Sequence, residues 1–232
     1  MQRRNFTTGL VSLATTGVAA LAAAPVAAAL PSETDAAAGI RAALERGAAS
    51  AVALLGRPDG FLGNSKVRIP LPGFLEDAAK LLKVTGQQRR VDELVTAMNR
   101  AAEAAVPEAR TLLVNAVRTM SVEDARQILT GGDDAATRFF ATKTRAPLGV
   151  RFLPIVTRAT ERVALADKYN AVAGKAAGLG LVRKEDANVQ QYVTGKALDG
   201  LYLMIGEEER KIRRDPVGTG SALLQKVFGS VR

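Results

Sequence analysis

The side chains of this sequence that could take part in chemistry are carboxylates, amines, guanidiniums and hydroxyls, because cysteine and histidine are both absent from its 232 residues. Without imidazole, the commonest general base and the commonest metal ligand are missing. Without thiols there is no cysteine nucleophile and no disulfide. A carboxylate mechanism of the glycan-cleaving kind needs two carboxyl groups about 5–10 Å apart across a cleft. Glu103 and a glutamate of the run Glu207-Glu208-Glu209 are the candidate pair, and nothing in their spacing brings them together. That run continues Arg210-Lys211-Ile212-Arg213-Arg214. On a helix Glu207 falls beside Lys211 and Glu209 beside Arg213, the ordinary pattern of a solvated face. Ser65-Lys66 are neighbours in sequence, which does not make a dyad, and no Gly-x-Ser-x-Gly elbow or Gly-rich phosphate motif occurs. Carboxylates alone could hold zinc, and no loop alternates acids as a calcium loop does. No catalytic residue, metal or cofactor is therefore assigned.

Binding is the chemistry that remains. Arg57, Lys66 and Arg68, with Asn64 and Ser65, crowd one segment, and arginine grips carboxylate or phosphate through two parallel hydrogen bonds. This segment is the leading candidate for a ligand or protein-docking surface. Gly131-Gly132-Asp133-Asp134 could shape an anion or metal site, but a helix stop followed by an Asp133 cap accounts for every residue. Leu198, Leu201, Tyr202, Met204 and Ile205 form an apolar strip that would be core or the wall of a ligand cavity.

The elements that must position these residues read as helices. The apolar fraction is 47% with only 4% aromatics, so the core must be built from Ala, Leu, Val and Ile, which favours helix on helix. Ile40, Ala43, Leu44, Ala48, Ala51, Val52 and Leu55 repeat at helical spacing after a Ser32 cap, and Gly56 ends the run. Residues 57–73 hold three prolines and the turn Pro58-Asp59-Gly60; Lys66 to Ile69 alternates and reads as extended. Helices follow over 74–84, 87–105, 107–120, 121–131 (with a Ser121 capping box), 133–145, 154–168, 169–179, 188–214 and 220–227, with Pro147 and Pro154 bracketing a junction.

Residues 1–29 read as a secretory leader: Arg3 and Arg4, an apolar stretch from Leu10 to Ala24, and a small-residue cleavage site at Ala27-Ala28-Ala29. Arg3-Arg4-Asn5-Phe6 resembles a twin-arginine signal, with the Sec route as the alternative. Setting Arg3 and Arg4 aside lowers the net charge from +9 to +7, still basic enough to attract anions. Outside the cytoplasm those anions are envelope components rather than nucleic acid, and the mature chain has no transmembrane segment.

Several motifs fall in a recognisable order: Pro58-Asp59-Gly60-Phe61, Arg68-Ile69-Pro70-Leu71-Pro72, Met98-Asn99-Arg100-Ala101-Ala102-Glu103 and Ile128-Leu129-Thr130-Gly131-Gly132. Lys168-Tyr169-Asn170, Tyr192-Val193-Thr194 and Lys196-Ala197-Leu198-Asp199-Gly200-Leu201 complete the series. From about Ile40 to Phe228 the chain resembles the bacterial family DUF4197, a domain of unknown function. The resemblance implies one exported domain and supplies no mechanism. It implies recurrent polar positions at Asp59, Asn64, Arg68, Asn99, Arg100, Glu103, Asn170, Lys196 and Asp199.

The expectation is an all-α, irregular bundle of about eight to ten helices over residues 30–232, in the periplasm of a Gram-negative bacterium. The expected function is non-enzymatic binding of an anionic or amphiphilic, lipid-like ligand. The residues expected to contribute are Asp59, Asn64, Lys66 and Arg68 of the loop, Asn99, Arg100 and Glu103 beyond it, and Lys196, Asp199 and Tyr202. The alternatives are a carboxylate-dependent cell-wall hydrolase and a periplasmic protein–protein adaptor.

Overall fold

The computed structural model describes residues 33–180, 183, 186 and 188–215. The leader expected at 1–29, the Ser32 cap and the helix expected at 220–227 lie outside them. All regular structure among the described residues is helical. α1 (Glu33–Leu55) is followed by the loop, a 3₁₀ turn (Gly73–Leu75) and α2 (Glu76–Val84). Then come α3 (Gln88–Ala105), a second 3₁₀ turn (Val106–Glu108), α4 (Ala109–Arg118) and α5 (Val122–Thr130). α6 (Ala135–Thr160), α7 (Ala164–Gly178) and α8 (Val189–Arg214) complete the order.

α6 and α8 form the central pair, with α3 packed on both and α1 closing the far side of α8 and touching α4 and α5. One apolar cluster runs through all of them, from Ile40, Leu44 and Leu55 of α1 to Val193, Ala197 and Leu201 of α8. Burying each large aliphatic or aromatic side chain contributes about 1.5–3 kcal/mol, which is what holds a bundle with so few aromatics together. The strip Leu198, Leu201, Tyr202, Met204 and Ile205 lies within this core. No described helix is long and apolar enough to cross a membrane.

Local signals explain most boundaries. Ser121 accepts from the Asp124 amide at 3.0 Å, while Asp124 accepts from the Ser121 amide at 3.0 Å, closing a capping box. Asn188 accepts from the Gln191 amide at 2.7 Å at the start of α8. Two expected boundaries differ. Pro147 and Pro154 do not break the chain; α6 runs straight through both. Each proline deletes an amide and so strips a carbonyl four residues back, yet both sit on the exposed side, where those carbonyls can meet water. The opposite side, with Phe140, Leu148, Phe152 and Val156 fully buried, keeps the helix whole. The next break comes at 161–163 rather than 168/169, so Ala166, Tyr169 and Ala173 share one buried face of α7. These mergers leave fewer helices than the sequence pattern suggests.

Candidate functional site

The loop between α1 and α2 is held onto α3 by side chains the sequence singles out. Asp59 adopts φ 65°, a left-handed turn conformation that Asp tolerates better than most residues, and turns the chain so that Phe61 points into the core. Glu103 Oε1 accepts from the amides of Phe61 and Leu62, both at 3.0 Å. Glu103 Oε2 receives Arg100 Nη1 at 2.7 Å, and Arg100 Nη2 reaches Asp59 Oδ1 at 2.8 Å. These two carboxylates bind the Arg100 proton more firmly than usual, Glu103 being the stronger partner. Asn99, fully buried, mimics a backbone strand: Oδ1 accepts from Ile69 N at 2.8 Å while Nδ2 donates to Ile69 O at 2.9 Å and Val95 O at 2.8 Å.

The rest of the loop is tied to α8. Tyr192 OH donates to Pro70 O at 3.0 Å, and Lys66 pairs with Glu207 at 2.7 Å. Asn64 accepts from the Lys66 amide at 3.2 Å and its carbonyl receives the Val67 and Arg68 amides, so the alternating stretch begins as a turn, not an extended segment. Arg68 is exposed. Asp59, Asn99, Arg100 and Glu103 thus come together as a latch, with Lys66 at its α8 end.

Asp199 and Tyr202 of α8 form a second group around Arg145, and Lys196 stands apart from it, beside Tyr192. Asp199 pairs with Arg145 of α6 at 2.6 Å, and the Arg145 guanidinium stands 5.8 Å from the Tyr202 ring centre. Thr144 Oγ1 donates to Phe140 O at 2.7 Å, so Tyr202 OH is the donor in its 2.9 Å bond to Thr144. Burial pushes the Tyr202 hydroxyl up. Lys196 Nζ lies 5.8 Å from the Tyr192 ring centre. Asn170, another recurrent position, accepts from the Val189 amide at 2.8 Å, fixing the start of α8.

The glutamate run departs from its expected solvated face. Glu209 is buried, with Oε1 accepting from Ala136 N at 3.0 Å and Oε2 from Thr137 N and Oγ1, both at 2.9 Å. The helix start expected to be capped by Asp133 is capped instead from α8; Asp134 occupies the N-cap position without a side-chain capping bond, its carboxylate pairing with Arg138. Glu209 also holds Arg213 at 2.9 Å. Among the described residues, no group of three or more acidic side chains is placed to hold a metal ion.

A groove that the sequence reading did not find lies at the other end of α3. Leu71, Leu75, Ala79 and Leu82 form one wall, Val91 and Leu94 the floor, and Leu165, Tyr169 and Val172 the opposite wall, around a cavity of about 260 Å³. Arg90 and Lys168 stand at its edge, and an adjoining hollow of about 480 Å³ adds Arg162 and Glu93. Glu93 is engaged by Arg89 at 3.0 Å. Val172 is 50% exposed, so the groove opens to solvent. Phe74 meets Tyr169 edge-on at 6.1 Å and Tyr169 meets Tyr192 at 6.3 Å, an aromatic row behind the wall. The legible signal was Leu165, Lys168, Tyr169 and Val172 at i, i+3, i+4 and i+7: one helical face that is apolar except for a lysine.

The family model for DUF4197, a protein of unknown function, matches residues 30–229, and the chain belongs to that family. No curated protein and no solved structure matches it.

Proposed function

We propose that this DUF4197 protein is a non-enzymatic, periplasmic binding protein for an amphiphile with an apolar chain and an anionic head. The observation that carries the reading is the groove between α2, α3 and α7: nearly all its walls are aliphatic or aromatic, and its mouth carries Arg90, Lys168 and Arg162. Concave apolar sites with a few placed polar groups are the usual form of a small-molecule site. The acyl part lies along Leu75, Leu82, Val91 and Leu94, and the head meets the three cations. Export rests on the leader pattern of residues 1–29 and the basic balance of the chain.

The carboxylates that a hydrolase would use have other partners: Glu103 holds the loop, Glu207 holds Lys66 and Glu209 caps α6. Binding therefore has the stronger support. The test is fluorescence titration with a conjugated polyene fatty acid, competed by saturated fatty acid and by the alcohol of the same chain length. The acid should bind and compete better than the alcohol. An Ala79→Phe variant, which fills the groove, should lose the probe; binding unchanged in that variant, or no binding to the native chain, rejects the reading.

A further inference from the structure

α6 carries five basic residues and no Asp or Glu in its 26 residues, the most one-sided charge of any helix in the fold. Two of the five are spoken for: Arg138 pairs with Asp134 and Arg145 with Asp199. Arg151 and Arg158, two turns apart on one side, are exposed and paired with no carboxylate among the described residues. Arg162, in the turn that follows, carries this basic line to the mouth of the groove. Beside it runs an apolar strip facing water: Ala146, Val150 and Leu153, with Val150 76% exposed and Leu153 37%. Lys143 stands two turns before Val150 on the same line. The carboxylates beside this face come from its neighbours: Asp199 of α8 is taken up by Arg145, and Asp124 of α5 lies close enough to Lys143 for their charges to interact, while Glu161 follows just past the helix end.

A helix that exposes small aliphatic side chains flanked by unpaired arginines has the composition of an element lying in the headgroup region of an anionic bilayer. Charge selects the occupant: a helix with five basic residues and no acid of its own complements the continuous negative charge of an anionic lipid surface. We infer that the outer face of α6 is a docking surface for an anionic lipid membrane, with Val150 and Leu153 entering the interface and Arg151, Arg158 and Lys143 meeting phosphates. The inference does not require the groove to hold a ligand, although the same basic line leads to it.

Co-sedimentation of the full chain with sucrose-loaded vesicles tests this. Vesicles of phosphatidylglycerol mixed with phosphatidylcholine should capture the protein, pure phosphatidylcholine should not, and added salt should release it. Each basic charge removed near an anionic surface weakens binding about fivefold, so the double variant Arg151→Gln/Arg158→Gln should bind about 25-fold more weakly. Val150→Asp should also weaken capture, while circular dichroism stays native because all three side chains are exposed. Ala79→Phe separates the two readings: it should lose fatty acid and keep vesicle binding. Equal capture by neutral vesicles, no capture at all, or α6 variants that bind like the native chain would overturn the inference.

Discussion

Glu209 of α8 caps α6 through the amide of Thr137, at 2.9 Å, while its other oxygen takes the amide of Ala136. A carboxylate at a helix N-terminus meets both unsatisfied donors and the positive end of the dipole. This one contact joins the two longest helices at their ends, 72 residues apart in sequence. Replacing Glu209 by Ala leaves the Ala136 and Thr137 amides without their acceptor and leaves Arg213, still bonded to the Ile128 carbonyl at 2.8 Å, without its carboxylate, so thermal unfolding should show a loss of about 3 kcal/mol. Glu209→Gln keeps one acceptor and should lose roughly half as much. A Glu209→Ala variant as stable as the native chain would show that the cap contributes nothing.

Asn99 should be the least replaceable polar side chain of the loop latch. Asn99→Ala orphans both the amide and the carbonyl of buried Ile69, for an expected loss of about 2–4 kcal/mol in denaturant unfolding. Asn99→Asp keeps the acceptor but sets a charge against the Ile69 carbonyl, and should be no better than Ala.

Gly200 lies under the Phe61 ring, where an added Cβ would come within 2.8 Å of the ring edge. Gly200→Ala should therefore cost about 1–3 kcal/mol by overpacking. Combining it with Phe61→Leu, which opens space at the same contact, should cost less than the two single changes summed; additive losses would mean that the ring does not press on this backbone.

All three tyrosines have hydroxyls raised above their ordinary value, chiefly by burial, with Tyr192 pushed up to about 12. The neutral form is the one the fold favours. Its stabilising effect is complete below the unfolded value near 10 and is lost as pH rises through the folded one. Absorbance at 295 nm should show markedly less tyrosinate at pH 10.5 in the native protein than in urea, where half or more should be ionised. Matching titration curves in the two states would contradict this burial.

Lys168→Glu and Arg90→Glu reverse charge at the groove mouth without touching its floor. Each should weaken the fatty acid by about tenfold and leave the alcohol of equal length nearly unchanged, since a charged hydrogen bond is worth about 1.5–3 kcal/mol. Equal losses for acid and alcohol would place the head elsewhere.

Periodicity made the helices legible. Ile40 to Leu55, the Ser121 box and the Asn188 start fall where their residues put them. Local rules overrated Pro147 and Pro154, because a proline breaks a helix only when packing does not repay the lost bond, and four buried side chains on the far side of α6 repay it. The reach of Glu209 to Ala136 was illegible for a different reason: a run of charges looks solvated until tertiary contacts select one member to bury. Of the polar residues singled out from the sequence, Asp59, Asn99, Arg100 and Glu103 gather as a latch and Asp199 and Tyr202 meet at Arg145, while Arg68 and Lys196 stand apart from both groups. The groove stayed hidden because its walls come from three helices far apart in the chain, and only the Leu165-to-Val172 face of one of them carries a pattern.

The two prolines of α6 also set a depth limit. Pro147 has no amide for the Lys143 carbonyl and Pro154 none for that of Val150, so both oxygens need water or a headgroup donor. Hydrocarbon offers neither, at a cost of several kcal/mol for each orphaned group. In the proposed docking, α6 therefore rests at the phospholipid headgroups and is penalised for sinking past them, which keeps the association reversible.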